Sequence, residues 1–251
     1  FNMSTKKFED FFSMVPIKKL TNVAISEKGV LIVSTESEGL FLCNLFQKRA
    51  SRINIPAKSR NQPVSINKII VGAGETVLLA TSQGAFTLDL TTKTVDQKFV
   101  YLDRKEGLQN ISDIYEETGV GWLITTKNNG LYVVDGKGSV LHNTEDMFQK
   151  TALIHNELNL IYKDRSGTFW IGSQRGISSF NPSAKGILGV GPTANLTHGI
   201  PTANVWSFAE EKGSDVVFIG TDKGISRLDK KTRIYTQYDR KSTNVSQSAG
   251  E

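Results

Sequence analysis

Residues 158–182 read LNLIYKDRSGTFWIGSQRGISSFNP and predict three short strands joined by two tight turns. The turn residues 163–167 separate the first apolar strand from a second at 169–172, and a second turn ends at Gly176 before the third strand. Glycine suits the end of each turn, because a reversing backbone often needs a positive φ, which glycine adopts without steric cost. The segment therefore predicts antiparallel β-structure.

Two glycine positions of this segment recur along the chain. The glycine that ends the second turn recurs at spacings of 45, 46, 46 and 48 residues, at Gly39, Gly84, Gly130, Gly176 and Gly224. The glycine of the first turn recurs at spacings of 45, 45, 48 and 46, at Gly29, Gly74, Gly119, Gly167 and Gly213. Between each pair lies an apolar strand that ends in a small or hydroxyl residue. Agreement at two independent positions indicates a fivefold repeat.

A strand-only repeat of about 45 residues is typical of a β-propeller blade with four antiparallel strands. The segments between the repeats supply the fourth strand, which is less apolar than the others, as expected for an edge that faces water. These fourth strands are predicted at residues 52–55, 98–101, 139–141 and 233–238, with a weak one at Ile187 and Leu188. We therefore predict an all-β fold, a β-propeller of about five four-stranded blades.

The sequence IYKDRSGTFWIGSQRGISSFNP at residues 161–182 is similar to the two-component regulator propeller repeat. Weaker copies are IYEETGVGWLITTKNNGLYVVD at residues 114–135 and FAEEKGSDVVFIGTDKGISRLD at residues 208–229. The resemblance covers residues 17–229, and it is weak in the first two repeats, which lack the tryptophan and the acidic turn residue.

That family builds the extracytoplasmic sensor region of hybrid two-component systems in Bacteroidetes. The resemblance implies a periplasmic sensor domain that binds an oligosaccharide and relays the signal to a histidine kinase, which is not in this chain. It leaves open a homodimer formed through the full-length sensor. Signal transduction is thus an expectation inherited from the family.

The five repeats are predicted at about residues 17–62, 63–107, 108–152, 153–199 and 200–240. Residues 1–16 predict an outer strand left from a preceding blade, and residues 241–251 predict a flexible tail. Because the fifth repeat already has its own fourth strand, two organisations remain: a five-bladed ring with an added strand, or part of a longer array, seven-bladed or tandem. The resemblance favours the longer array.

Composition sets wide bounds on function. The 251 residues are 38% hydrophobic and 22% charged, which is ordinary for a globular chain. No signal peptide is recognisable, as expected for a processed or trimmed piece of an exported protein, and no apolar run reaches membrane-spanning length. Any membrane contact is therefore expected through absent segments only. The net charge is +5, but the lysines and arginines are scattered, so we predict no nucleic-acid partner. The single cysteine, Cys43, is expected to be a small buried hydrophobic residue.

A propeller binds ligands where the connectors enter the first strands and where the second and third strands turn. Amides, charges and an imidazole in these segments suit the hydroxyls of a sugar, and an aromatic ring can stack on a pyranose. The candidate ligand-binding residues are Asn110, His155, Asn156, Arg175, Asn204 and Trp206. Each also has a structural interpretation: polar residues often serve turn geometry, and Trp206 could belong to the core. Trp122 and Trp170 are predicted to be core residues between blades.

No catalytic constellation emerges. Residues 164–170 resemble the Asp-box of sialidase propellers, but their Asp-to-Gly spacing is one residue too long, and Asp-boxes are turn motifs. The carboxylate pairs stand at turn ends, where solvation explains them, and the three histidines lack metal-ligand spacing. We predict no catalytic residue, no metal, no cofactor and no enzymatic activity.

The sequence therefore predicts a carbohydrate-sensing propeller. The first alternative is a protein-interaction scaffold without a small ligand, and the second is a polysaccharide lyase or glycosidase built on a propeller. The glycine-rich segment 184–201 is predicted to hold the weak strand and a long connector, with a loop folded over the propeller face as the alternative.

Overall fold

The computed structural model of the chain describes residues 19–36, 38–45, 47, 49–57, 63–100, 108–146, 152–182 and 187–238. The chain divides into two compact units, Phe1–Ser112 and Asp113–Glu251. The predicted outer strand at residues 1–16 and the predicted tail at residues 241–251 lie outside the described residues.

All twenty elements bounded within the described part of the chain are β-strands. They form five antiparallel sheets in which each of the four strands pairs with its successor. The first unit holds the first sheet, β1(Leu20–Ile25), β2(Val30–Thr35), β3(Leu40–Asn44) and β4(Arg49–Ile53), and the second sheet, β5(Ile66–Val71), β6(Thr76–Thr81), β7(Gly84–Asp89) and β8(Val95–Lys98).

The second unit holds the other three sheets, apart from the first two residues of β9, which belong to the first unit. The third sheet consists of β9(Ile111–Glu117), β10(Gly121–Thr126), β11(Leu131–Val134) and β12(Val140–Asn143). The fourth consists of β13(Leu158–Lys163), β14(Phe169–Ser173), β15(Gly176–Phe180) and β16(Leu188–Val190), and the fifth of β17(Val205–Glu210), β18(Val216–Thr221), β19(Gly224–Asp229) and β20(Ile234–Tyr238). The predicted all-β fold with five four-stranded propeller blades is confirmed.

Consecutive sheets within a unit pack face to face. In the first unit, one buried cluster joins Leu40 and Leu42 of the first sheet to Ile66 and Leu79 of the second. In the second unit, the third and fourth sheets share a cluster that includes the fully buried Phe169.

The cluster between the fourth and fifth sheets contains Trp170, Ile177 and Val205. Trp170 is thus a core residue as predicted, whereas Trp122 is only half-buried. Cys43 is buried, also as predicted.

The turn between the second and third strands is built in the same way in all five sheets. The hydroxyl at the end of the second strand donates a hydrogen bond of 2.7 to 3.1 Å to the carbonyl of the glycine that ends the turn. It also accepts the backbone N–H of the residue before that glycine. The five hydroxyl residues are Thr35, Thr81, Thr126, Ser173 and Thr221. Each glycine has a positive φ, so the recurring Thr/Ser and Gly reflect one hydrogen-bond pattern, which closes turns of two lengths.

Two predicted fourth strands begin earlier in the structure. The first sheet closes with Arg49–Ile53 rather than residues 52–55, because the carboxamide of Asn44 accepts the Gln47 N–H and tightens the preceding turn. The second sheet closes with Val95–Lys98 rather than residues 98–101. There the Asp89 carboxylate accepts the N–H groups of Thr91 and Thr92, so that the chain reverses within a few residues. Tyr101 lies outside the described residues.

The glycine-rich connector supplies β16 and then runs beside the fifth sheet. The side-chain amide of Gln237 donates to the carbonyls of Leu196 and Gly199, at 3.1 and 2.9 Å. The Tyr235 N–H donates to the Thr197 carbonyl at 3.0 Å. The weak fourth strand and long connector are therefore the correct alternative, and the described part of the connector covers the outer edge of β20.

A buried charge cluster ties the fourth sheet to the fifth. The Asp164 carboxylate, which has no solvent exposure, accepts the Trp170 indole N–H at 2.9 Å and a bond from Lys230 Nζ at 3.0 Å. Lys230 also contacts Glu210 at 3.1 Å. Asp164 further accepts the N–H groups of Ser166 and Thr168 within its own turn. The segment that resembles an Asp-box is thus a structural turn.

Candidate ligand-binding site

The candidate site lies where the first strands begin. In four sheets the pairing between the first and second strands shifts register within the first three residues. The residue inside the shift is Thr21, Asn67, Asn159 or Trp206. A register shift leaves this residue without a partner in the strand ladder and re-aims its side chain. The residue type can therefore vary from one sheet to another.

Asparagine at the start of a first strand links one sheet to the next. Asn67 Nδ2 donates to the Ile111 carbonyl at 2.7 Å, and Asn159 Nδ2 donates to the Val205 carbonyl at 2.8 Å. In the first sheet the neighbouring Asn22 donates to the Ile66 carbonyl at 3.2 Å. In each case the acceptor is the first residue of the next first strand, so the amide has a structural role.

Trp206 departs from this pattern. It stands 47 residues after Asn159, inside the register shift of the fifth sheet, where the second and fourth sheets carry an amide. Its side chain is 51% exposed. A large aromatic residue left half in solvent contributes little to the core, and its exposed surface is available for stacking.

Hydrogen bonds between side chains join the turn after β10 to the connector before β17. Lys127 Nζ donates to Asn159 Oδ1 at 3.2 Å, and Asn159 Nδ2 donates to Asn204 Oδ1 at 3.3 Å as well as to the Val205 carbonyl. Within the described residues, Asn204 Nδ2 makes no hydrogen bond. We call Lys127, Asn159, Asn204 and Trp206 the mouth cluster. It combines N–H donors with an exposed aromatic residue two positions along the chain from Asn204, and groups of these types can bind hydroxyl oxygens and stack on a ring.

Burial shapes the electrostatics of the cluster. It lowers the pKa of the Lys127 ammonium, and the nearby carboxylates of Asp113 and Glu157 partly offset this effect. Lys127 Nζ has three N–H donors, of which the bond to Asn159 uses one.

The turn that carries Lys127 is held by aromatic stacking. The ring of Tyr132, which is fully buried, stacks on His142 with centroids 4.1 Å apart and planes 9° apart. His142 Nε2 lies 2.6 Å from the Asn129 carbonyl, and Asn129 Nδ2 bonds to the Tyr132 hydroxyl. The turn is therefore fixed before any ligand arrives, which lowers the entropic cost of binding.

His155 and Asn156, two of the predicted site residues, are engaged in the connector itself. The Asn156 carboxamide oxygen accepts the Glu145 N–H at 2.7 Å, and its carbonyl accepts the Gly130 N–H at 3.0 Å. His155 Nδ1 accepts the Glu157 N–H at 3.1 Å, and its Nε2 lies 3.8 Å from a Glu145 carboxylate oxygen. These contacts favour the structural interpretation of both residues.

The remaining predicted residues differ in setting. Asn110 lies in the first unit with a φ of 50°, and its backbone N–H donates to the Ser82 carbonyl at 3.0 Å. Arg175 is exposed, and its backbone N–H bonds to the Ser173 hydroxyl at 3.1 Å. Of the six predicted residues, Asn204 joins the mouth cluster through its hydrogen bond with Asn159, and Trp206 is assigned to it by its position two residues after Asn204.

Sequence reasoning missed Lys127 and Asn159 as site residues. Asn159 is hidden inside an apolar strand pattern, and its register shift is not visible in the sequence. A usable signal existed in the repeat: the residue after the first apolar position is Thr21, Asn67, Ser112, Asn159 or Trp206. Four of the five are polar, and the fifth is the exposed tryptophan.

No family model matches the chain, and no curated protein matches it. Among solved structures, the extracellular domain assigned to a hybrid two-component system of B. thetaiotaomicron superimposes with a TM-score of 0.70 at 16% identity, over 88% of this chain and 29% of that chain. The two chains share a fold. This neighbour agrees with the family resemblance in the sequence.

Two further solved structures share the fold. PorZ, a surface component of the type-IX secretion system of Porphyromonas gingivalis, matches with a TM-score of 0.63 at 16% identity, over 86% of this chain and 33% of that chain. An auxiliary nutrient binding protein of Bacteroides thetaiotaomicron matches with a TM-score of 0.55 at 13% identity, over 88% of this chain and 57% of that chain. The chain therefore spans between about a third and just over half the length of these proteins.

The residues that the structure describes contain neither a metal-ligand cluster nor a membrane-spanning helix. No cluster of three or more histidine, cysteine, aspartate or glutamate side chains could hold a metal ion. No helix in the same residues is long and apolar enough to cross a membrane.

Proposed function

We propose that the chain is the extracytoplasmic ligand-sensing part of a hybrid two-component regulator and that it binds an oligosaccharide at the mouth cluster. The observation that carries the proposal is Trp206, an exposed aromatic residue at a position where equivalent strands carry an asparagine that bonds, partly buried, to the next first strand. The fold shared with an extracellular domain of a two-component system supports the signalling context.

In this proposal each residue of the mouth cluster has a distinct role. Trp206 stacks on the apolar face of a pyranose ring. Asn204 Nδ2 and the unused N–H donors of Lys127 bind sugar hydroxyl oxygens. Asn159 positions both groups, because it accepts from one and donates to the other.

The proposed mechanism is a change in population between two arrangements of the full-length sensor. A bound oligosaccharide favours one arrangement only by as much as it binds that arrangement better. The change then reaches a histidine kinase through segments outside this chain. The proposed location is the periplasm, and the chain itself is proposed to bind rather than to catalyse.

The test is a thermal-shift screen of the chain against a panel of oligosaccharides. Ligand at a hundredfold excess over its dissociation constant stabilises the fold by about 2.7 kcal/mol. For a sugar that binds, Trp206→Ala is expected to weaken affinity at least tenfold, or about 1.4 kcal/mol. Tyr238→Ala is the matched control, since Tyr238 is a half-exposed aromatic at the end of β20.

Three outcomes would contradict the proposal. Equal loss of affinity in both variants would remove the mouth cluster as the site. No thermal shift with any oligosaccharide of the panel would favour a protein-interaction scaffold. Turnover of a polysaccharide without stable binding would favour an enzyme.

A further inference from the structure

Two carboxylates stand beside the mouth cluster, near the start of β13. Glu157 directly precedes this strand and is exposed, and its backbone carbonyl accepts the Gln174 N–H at 3.1 Å. Asp113 on β9 is only 4% exposed, and its Oδ2 accepts the Ile161 N–H at 3.4 Å. Both carboxylates therefore belong to segments that meet the strand carrying Asn159.

Lys127 is the cation on which these two carboxylates act. It directly follows β10, and its Nζ bonds to Asn159 Oδ1 at 3.2 Å. Two residues earlier, the Thr125 hydroxyl donates to the Asp113 carbonyl at 3.2 Å, so the end of β10 lies against Asp113. Burial lowers the pKa of Lys127, and attraction by Asp113 and Glu157 partly offsets this effect. Each carboxylate is thus close enough for its charge to act at the ammonium.

The charges around Lys127 leave a negative excess. In the described part of the chain, the charged groups that shift the pKa of Lys127 are the two carboxylates, so one ammonium faces two negative charges. An anionic group that accepted the remaining N–H donors of Lys127 would also approach Asp113 and Glu157. Asp113 is buried, and salt screens the field of a buried charge much less than that of an exposed one.

We propose that the mouth cluster selects uncharged oligosaccharides over acidic ones, such as uronate or sulfated chains, and that Asp113 and Glu157 set this preference. The preference depends on the proposed function, because it concerns the class of sugar that the same site binds. A hydroxyl oxygen accepts an N–H from Lys127 without bringing a charge. A carboxylate or sulfate in its place meets two carboxylates that a single ammonium does not balance, so repulsion of the wrong ligand provides the specificity.

The neighbouring turn holds a second cation. Arg175 is exposed and follows Gln174, whose N–H bonds to the Glu157 carbonyl. It is not among the groups that shift the pKa of Lys127. The proposed preference therefore assigns no role to Arg175, and the experiment includes a variant that checks this.

The experiment compares each oligosaccharide of the panel with a counterpart that differs in charge. Neutral hexose oligosaccharides are oxidised at their primary hydroxyls to carboxylates, and uronate oligosaccharides are reduced at their carboxylates to primary hydroxyls. Isothermal titration calorimetry at low salt measures the dissociation constants of both members with the 251-residue chain. In every pair that binds, we expect the uncharged member to bind at least about tenfold more tightly.

Glu157→Gln separates the effect of charge from that of shape, because it removes a charge at an exposed position and keeps the size of the side chain. It is expected to reduce the preference at least about threefold, and Asp113→Asn at least as much. Glu116→Gln is the matched control: it removes the same charge at an exposed position near the other end of β9 and should leave the preference unchanged. Because Asp113 is buried, thermal unfolding first checks that its variant folds, and Glu157→Gln decides if it does not.

Two outcomes would overturn the proposed preference and leave the proposed function standing. The first is equal or tighter binding of the acidic member, and its loss in Arg175→Gln would assign charge recognition to that turn. The second is a preference that stays the same in Glu157→Gln and in folded Asp113→Asn, since shape would then explain it. No binding by either member of any pair would instead contradict the proposed function itself, and the preference with it.

Discussion

Asp164 and Lys230 hold together the turn of one sheet and the edge of the next. The carboxylates of Asp164 and Glu210 are 0% and 3% exposed; Asp164 pairs with the Lys230 ammonium, and Glu210 pairs with both Lys230 and Arg165. A buried carboxylate that loses its cation keeps the cost of desolvation without the compensating attraction.

Lys230→Met is therefore expected to lower the free energy of unfolding by about 3 kcal/mol, at the lower end of the range for a broken buried pair because the lysine partly reaches solvent. Urea denaturation measures this change. Lys231→Met is the matched control: Lys231 pairs with Asp215 at 2.8 Å, but on the surface, where ion pairs contribute little. Similar effects of the two substitutions would contradict the buried role of Lys230.

The pH dependence of stability gives a second test of the Asp164 contacts. Burial alone would raise the pKa of the Asp164 carboxyl, but hydrogen bonds from Ser166, Trp170 and Lys230 outweigh burial and hold the pKa below its ordinary value. Since the pKa is lower in the folded chain, the carboxylate stabilises the fold above the unfolded pKa of about 3.9, and this contribution is lost as the pH falls through the folded pKa.

Asp164→Asn should thus reduce the free energy of unfolding most near neutral pH. The difference from the parent chain should shrink as the pH is lowered towards about 2. Denaturation curves at a series of pH values measure this difference, and the other acidic groups titrate in both proteins. A difference that stays constant over the whole range would contradict the role assigned to this carboxylate.

At the scale of elements, the packing of consecutive sheets depends on small residues at the crossing points. A Cβ at Gly172 would lie 2.6 Å from Leu160 Cδ2 and 2.8 Å from Val205 Cγ1. Gly172→Ala is expected to lower the free energy of unfolding by about 1 to 3 kcal/mol, because the fourth and fifth sheets must move apart. Gly136→Ala is the control, since no described atom lies within 4 Å of its added Cβ. Equal unfolding midpoints for the two variants would mean that the sheets accommodate the methyl group freely.

The sheets could be predicted from sequence because their turns repeat. Thr or Ser before the turn and Gly at its end are local requirements, and local requirements are visible in a single sequence. The fourth strands were placed less well, because side chains such as Asp89 close their turns early and shift the strand. The mouth cluster was only partly predictable, since the bond from Lys127 to Asn159 joins separate sheets at an irregular register.

For the molecule as a whole, the net charge of +5 is distributed rather than gathered. Several lysines are paired with carboxylates: Lys19 with Glu36, Lys163 with Glu117, Lys230 with Asp164 and Glu210, and Lys231 with Asp215. Paired and scattered cations release few counterions from a polyanion, so affinity should be weak and sensitive to salt.

We therefore expect no retention of the chain on heparin, and no shift of duplex DNA, at about 0.15 M salt. A gel-shift titration and a salt gradient on a heparin column measure this. Binding to DNA or heparin that persists above that salt concentration would contradict this expectation. It would mean that the fold gathers scattered lysines and arginines into one basic surface.

The turn between the second and third strands carries a consequence for how such a protein can change. The residue before the turn glycine is Glu38, Gln83, Asn129, Arg175 or Lys223, five different side chains at one position. In all five turns the backbone N–H of this residue donates to the hydroxyl, and every residue except proline supplies that N–H. Mutation can therefore exchange the charge at exposed positions such as Arg175 and Lys223 while the turn stays intact, whereas the Asn129 side chain also bonds to the Tyr132 hydroxyl. New specificities can thus arise one blade at a time.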